Sequence, residues 1–93
     1  MKTELRWTKE AAADLNKIAD YLFQKSPTRA AELVRGIYEG PATLLTFVYS
    51  GRVGRKEGTR ELVLWPLPYI VVYRITGEVI HVVRILHQAQ KWP

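Results

Sequence analysis

The chain has 93 residues, nearly half of them hydrophobic and a quarter charged in mixed sign, enough for one modest core and too few for a second. That balance excludes a disordered chain, and the absence of cysteine excludes a disulfide framework and a thiolate metal site. The net charge of +5 is uneven: residues 1–49 hold seven basic and six acidic side chains and residues 50–93 seven basic and three acidic, a positive field suited to a polyanion or an acidic protein.

Met1-Lys2-Thr3-Glu4 leads into mixed residues without the apolar centre of a signal peptide. No segment is long and apolar enough to span a bilayer, so no membrane partner is expected, and the lack of cysteine makes a reducing cytoplasm the expected compartment. Residues Lys2 to Trp7 alternate polar and apolar, which predicts a short strand. Thr8 then caps a helix whose apolar positions, Ala11, Ala12, Leu15, Ile18, Ala19, Leu22 and Phe23, share one face, with an end near Lys25. Ser26-Pro27 predicts the start of a second helix, with a stripe through Ala30, Val34, Ile37, Leu44 and Leu45. Gly40-Pro41 interrupts that stripe, because an interior proline removes a backbone bond, and predicts a kink or two helical pieces.

Ser50 to Gly58 reads as a glycine-punctuated loop that fits no phosphate-binding signature. Three β-rich runs follow, Thr59 to Trp65, Tyr69 to Ile75 and Glu78 to His87, joined closely enough for antiparallel hairpins. The expected fold is a single α+β domain over residues 1–93: a short N-terminal strand, an antiparallel helical hairpin and a three-stranded antiparallel sheet. Strict alternation in the last strand puts Ile80, Val82, Arg84 and Leu86 on one face and Val79, His81, Val83, Ile85 and His87 on the other. Both faces are then mostly apolar, whereas two helices cover only one, so a partner or a second copy is expected on the open side.

Arg60, Arg84 and His87 are the residue types a ribonuclease needs: cations to hold phosphate, and a histidine to exchange a proton with the 2′-hydroxyl or leaving oxygen. The two arginines have apolar neighbours and must find acids, phosphate or water; Glu61 and Glu78 are the acids considered. Arg52, Arg55, Lys56, Arg74 and Lys91 are candidate contacts to a nucleic acid or other target, and Trp92, like Trp65, could stack on a base. No His, Asp and Glu set has metal-ligand spacing, and no cofactor is implied.

The Trp7-Thr8 lead into a helix with Asp14-Leu15 and Ile18, the Gly51-Arg52 step, Arg60-Glu61-Leu62, Tyr69-Ile70-Val71-Val72-Tyr73-Arg74 and Arg84-Ile85-Leu86-His87-Gln88 resemble the RelE/ParE superfamily of type II toxins over nearly the whole chain. The resemblance implies a cognate antitoxin as partner, contacting Arg60, Leu62, Val83 and Ile85, with operator DNA reached only through it. ParE-like members poison DNA gyrase; RelE-like members cut ribosome-bound mRNA without a metal, which would make Arg60, Arg84 and His87 catalytic; an inactive corepressor is a third outcome. The Leu86-His87-Gln88 ending and the Gly-Arg step look more like ParE, no tyrosine follows Tyr73, and Gly40-Pro41 departs from the family's unbroken second helix.

Overall fold

The computed structural model describes residues 3–93. Strand β1 (Glu4–Trp7) runs into helix α1 (Lys9–Lys25), and helix α2 (Ala30–Glu39) continues into a 3-10 helix, Gly40–Leu45. Four more strands follow: β2 (Arg52–Val53), β3 (Arg60–Val63), β4 (Tyr69–Thr76) and β5 (Val79–His87). They form one five-stranded sheet in the order β1-β5-β4-β3-β2. The expected three-stranded antiparallel sheet is therefore its centre. Strand β1 adds to β5 in parallel, Glu4 opposite Val79 and Trp7 opposite Val82, and β2 adds two antiparallel residues beside β3.

Thr8 is the joint between sheet and helix. Its hydroxyl accepts the Ala11 N–H at 3.1 Å as an N-cap, its own N–H donates to the Val82 carbonyl, and its hydroxyl donates to the Val83 carbonyl. The second helix starts at Ala30 and not at Pro27, because Ser26 ends α1 and residues 27–29 form the turn that reverses the chain, closed by the Arg29 N–H on the Ser26 carbonyl. Pro41 sits in the first turn of the 3-10 helix, so the break at Gly40-Pro41 is a change of helix type. The tighter winding buries Leu44 and turns Leu45 outward, against the expected stripe.

The face assignment in β5 also changes. Tyr73 lies opposite Val82 and Val72 opposite Arg84, so Val83 is an extra, bulged residue. Before the bulge Ile80 and Val82 face the helices; after it Ile85 and His87 do, and Arg84 and Leu86 turn to the other side. The core under α1 and α2 contains Ala11, Leu22, Ala30, Ile37, Tyr69, Val71, Val82 and Ile85. A second cluster, Leu44, Tyr73 and Ile80, lies under the 3-10 helix. Tyr73 is fully buried, accepting the Gly51 N–H at 3.0 Å and donating to the Val48 carbonyl at 2.7 Å, which ties the segment before β2 to the sheet. On the open face Ile70, Val72 and Leu86 are also buried, so the chain covers much of that face itself. No helix among the described residues is long and apolar enough to cross a membrane.

Candidate functional site

The bulge sends Arg84 to the open face, and Asp14 fixes it there. Beyond Thr8 no strand continues along the outer edge of β5 among the described residues, and α1 supplies a side chain instead: Asp14 accepts from Arg84 Nε at 2.6 Å, from Arg84 Nη2 at 3.1 Å and from the Ile85 N–H at 2.9 Å. This forked bond raises the affinity of the guanidinium for its proton against the opposing effect of burial. The Trp92 ring lies beside Arg84, with its centroid 5.2 Å from the guanidinium carbon and 5.7 Å from Lys56 Nζ. Arg84 belongs to β5 and Lys56 to the β2–β3 loop, so the ring bridges two separate elements of the fold. Beside it opens a pocket of about 320 Å³ lined by Glu10, Lys56, Thr59, Arg74, Val83, Arg84 and Trp92.

One carboxylate organises the loop that carries Lys56. Glu61 is 1% exposed and accepts from Arg52 Nη2 at 3.1 Å, from the Arg55 N–H at 2.9 Å and from Arg55 Nε at 3.2 Å. Burial pushes its carboxyl up, but the bonds from Arg55 and Arg52 outweigh burial and hold it below the ordinary carboxylate range. Arg52 and Arg55 are thus engaged with Glu61, while Lys56 and Arg74 pair with no carboxylate among the described residues. Lys91 is exposed and lines none of the pockets described.

Of the residues expected at a target-binding surface, the fold brings Lys56, Arg74 and Trp92 to one place and adds Arg84. It does not bring Arg60, Arg84 and His87 together. Arg60 lies opposite Tyr73 on the helix face, where Nη2 donates to the Gly51 carbonyl at 2.6 Å and the Tyr49 carbonyl at 3.2 Å, and its guanidinium stacks 5.3 Å from the Tyr49 ring. His87 is exposed at the far end of the same face, with Nδ1 accepting the Ala89 N–H at 3.0 Å and its ring edge-on to Tyr69 at 5.5 Å. It borders an apolar groove of about 450 Å³ with Tyr21, Leu22 and Pro68. There burial first, and Tyr21 second, raise the proton affinity of the Tyr69 hydroxyl. His81 lies opposite Arg74 on the open face, outside the lining of the cationic pocket.

The contacts expected for an antitoxin are likewise divided. Ile85 is 2% exposed in the core and Leu62 packs against that core, both on the helix face with Arg60, so of the four only Val83, at the bulge, borders the open face. The acids considered for the arginines were also not the ones used: Asp14 takes Arg84, backbone carbonyls take Arg60, and Glu61 takes Arg52 and Arg55. Asp14 carries no sequence signal as a partner, since 70 residues separate it from Arg84. Among the described residues no cluster of His, Cys, Asp and Glu is suited to a metal ion.

Residues 5–92 match the family described as the ParE toxin of type II toxin-antitoxin systems, parDE. The Y4kP protein of Sinorhizobium fredii is 38% identical over 92 residues, covering 99% of this chain and 95% of its own length. Toxin RelE2 of Caulobacter vibrioides is 36% identical over 84 residues, covering 90% and 93%. Among solved structures, the chromosomal ParDE toxin-antitoxin system from P. aeruginosa superposes with a TM-score of 0.84 at 31% identity, covering 92% of this chain and 96% of that one. RelBE2 from Mycobacterium tuberculosis shares the fold with a TM-score of 0.68 at 23% identity, covering 97% and 95%. The family match, the curated relative and the shared fold place the chain in the ParE toxin family, within the RelE/ParE superfamily of type II toxins.

Proposed function

We propose that this toxin arrests growth by binding DNA gyrase in the cytoplasm, without chemistry of its own, and that a cognate antitoxin neutralises it and carries it to operator DNA. The observation that favours binding over cleavage is the dispersal of Arg60, Arg84 and His87. A ribonuclease must place its base, its acid and its phosphate-holding cation around one phosphorus. Here Arg60 and Arg84 lie on opposite faces of the sheet and His87 lies apart from the cationic pocket. The match to the ParE family supports gyrase as the target, and the ParDE system from P. aeruginosa supports an antitoxin partner.

The test is brief induction of the chain in cells, with DNA breaks linked to gyrase and new mRNA 5′ ends measured in the same samples. Breaks with intact messages are expected, and His87→Ala should arrest growth as strongly as the wild type. Codon-periodic mRNA ends without DNA breaks, abolished by His87→Ala, would refute the reading and establish a ribosome-dependent ribonuclease.

A further inference from the structure

The Trp92 indole is buried at Nε1 and donates to nothing among the described residues. Arg60 Nε shares that condition, but the Arg60 guanidinium satisfies two carbonyls through Nη2, whereas the indole has no second donor. A buried N–H without an acceptor is unfavourable, so Trp92 fills its slot with an incomplete set of contacts. The slot does not need Trp92 to form. Asp14 holds Arg84 from behind, and Glu61 holds the loop that presents Lys56. The segment that carries Trp92, residues 88–93, has no helix or strand and is held at its start by Gln88 N–H on the Pro68 carbonyl and Gln90 N–H on the His87 carbonyl.

We propose that the slot between Arg84 and Lys56 is a docking site for an aromatic side chain next to a carboxylate, on an acidic segment of a protein partner, and that Trp92 occupies it in cis until displaced. Two cations at 5.2 Å and 5.7 Å from one ring make a seat for a π-face. The adjoining pocket of about 320 Å³ adds Arg74, whose guanidinium pairs with no carboxylate among the described residues and lines the space where one would sit. Glu10 in the lining and Asp14 on Arg84 reduce the positive charge to what one carboxylate matches, so a single acid beside an aromatic ring fits better than a run of phosphates.

The test is chemical complementation in the full chain with Trp92→Ala. Indole-3-acetate, an aromatic ring with a carboxylate, should bind the variant saturably with one site and at least tenfold more tightly than it binds wild type. Tryptamine, the same ring with an ammonium group, should not bind, and adding Arg74→Ala should weaken indole-3-acetate several-fold. Equal affinity of wild type and Trp92→Ala, or equal binding of the two indoles, would overturn the proposal. So would inorganic phosphate binding as tightly as indole-3-acetate, because the pocket would then be a phosphate site. If Trp92→Ala fails to fold, Trp92→Phe, which leaves a smaller ring without the indole N–H, should still bind indole-3-acetate more tightly than wild type, and equal binding by the two would overturn the proposal. Growth arrest is a separate readout: a toxin that arrests growth but does not bind indole-3-acetate loses the slot and keeps the target reading.

Discussion

Replacing Glu61 by Gln should destabilise the fold through the loss of one buried charge. The carboxylate accepts three bonds, from Arg52 Nη2, the Arg55 N–H and Arg55 Nε. An amide keeps one oxygen and turns an NH₂ toward donors. Bonds to a charged group contribute about 1.5–3 kcal/mol each in favourable settings. The Arg52 and Arg55 side chains are 59% and 41% exposed and regain water when released, which leaves the Arg55 N–H and the desolvated carboxylate as the main loss. A net effect of about 2 kcal/mol is expected, some thirtyfold in the folding equilibrium, or about 8–16 °C in melting temperature for a domain of this size.

The pH dependence makes this prediction specific. The folded state holds the Glu61 carboxyl below its ordinary value of 4.5, so its stabilisation is complete above that value and is lost as pH falls through the folded pKa. Urea unfolding followed by far-ultraviolet circular dichroism should therefore show a gap between wild type and Glu61→Gln that is full at neutral pH and closes on acidification. A gap below about 0.5 kcal/mol at neutral pH, or one that stays constant into acid, would refute the reasoning.

Tyr73→Phe removes a hydroxyl that serves both the Gly51 N–H and the Val48 carbonyl, so it should cost about 2 kcal/mol by urea titration and speed hydrogen exchange at Gly51. Gly51→Ala would set a Cβ 2.6 Å from Tyr73 Cε1 and 2.9 Å from the Glu61 carbonyl, and should lower stability by about 3 kcal/mol in the same titration. Asp14→Ala strips the Ile85 N–H and the Arg84 guanidinium of their acceptor, with an expected loss of about 2 kcal/mol and a changed fluorescence environment for Trp92 as Arg84 loosens. A Trp92 emission unchanged by Asp14→Ala would separate the indole from the Arg84 platform.

Local chemistry made much of the fold legible from the residues. Thr8 before an apolar-periodic run specified the start of α1, and the β-rich run of β4 with the short β4–β5 connection specified the central hairpin. What escaped depended on contacts between distant residues. Strand β1 joins the sheet only because β5 has a free edge, and two residues of β2 carry too little pattern to stand out in a glycine-rich loop. The bulge at Val83 had the widest effect. A valine among valines gives no local sign that it is the extra residue, yet it reverses the faces of Arg84, Ile85, Leu86 and His87. The separation of Arg60 from Arg84 follows from that one residue. At the candidate site the cations Lys56 and Arg74 and the ring of Trp92 were legible by type, whereas Asp14 and Glu61, which hold the platform, were hidden by distance or by competition among nearby arginines.

The pairing of β1 with β5 has a consequence for how the molecule comes into being. Thr8 and Val83, which close this junction, are 75 residues apart, so the first strand emerges from the ribosome long before the strand it needs. Contacts of such span are closed late, after the nearby ones have formed, and they slow folding. During synthesis α1 and α2 can associate, but the sheet to which they anchor does not exist until β5 is translated. The cationic pocket, which needs Val83 and Arg84 of β5 and Trp92 beyond it, therefore cannot form until almost the whole chain has been made.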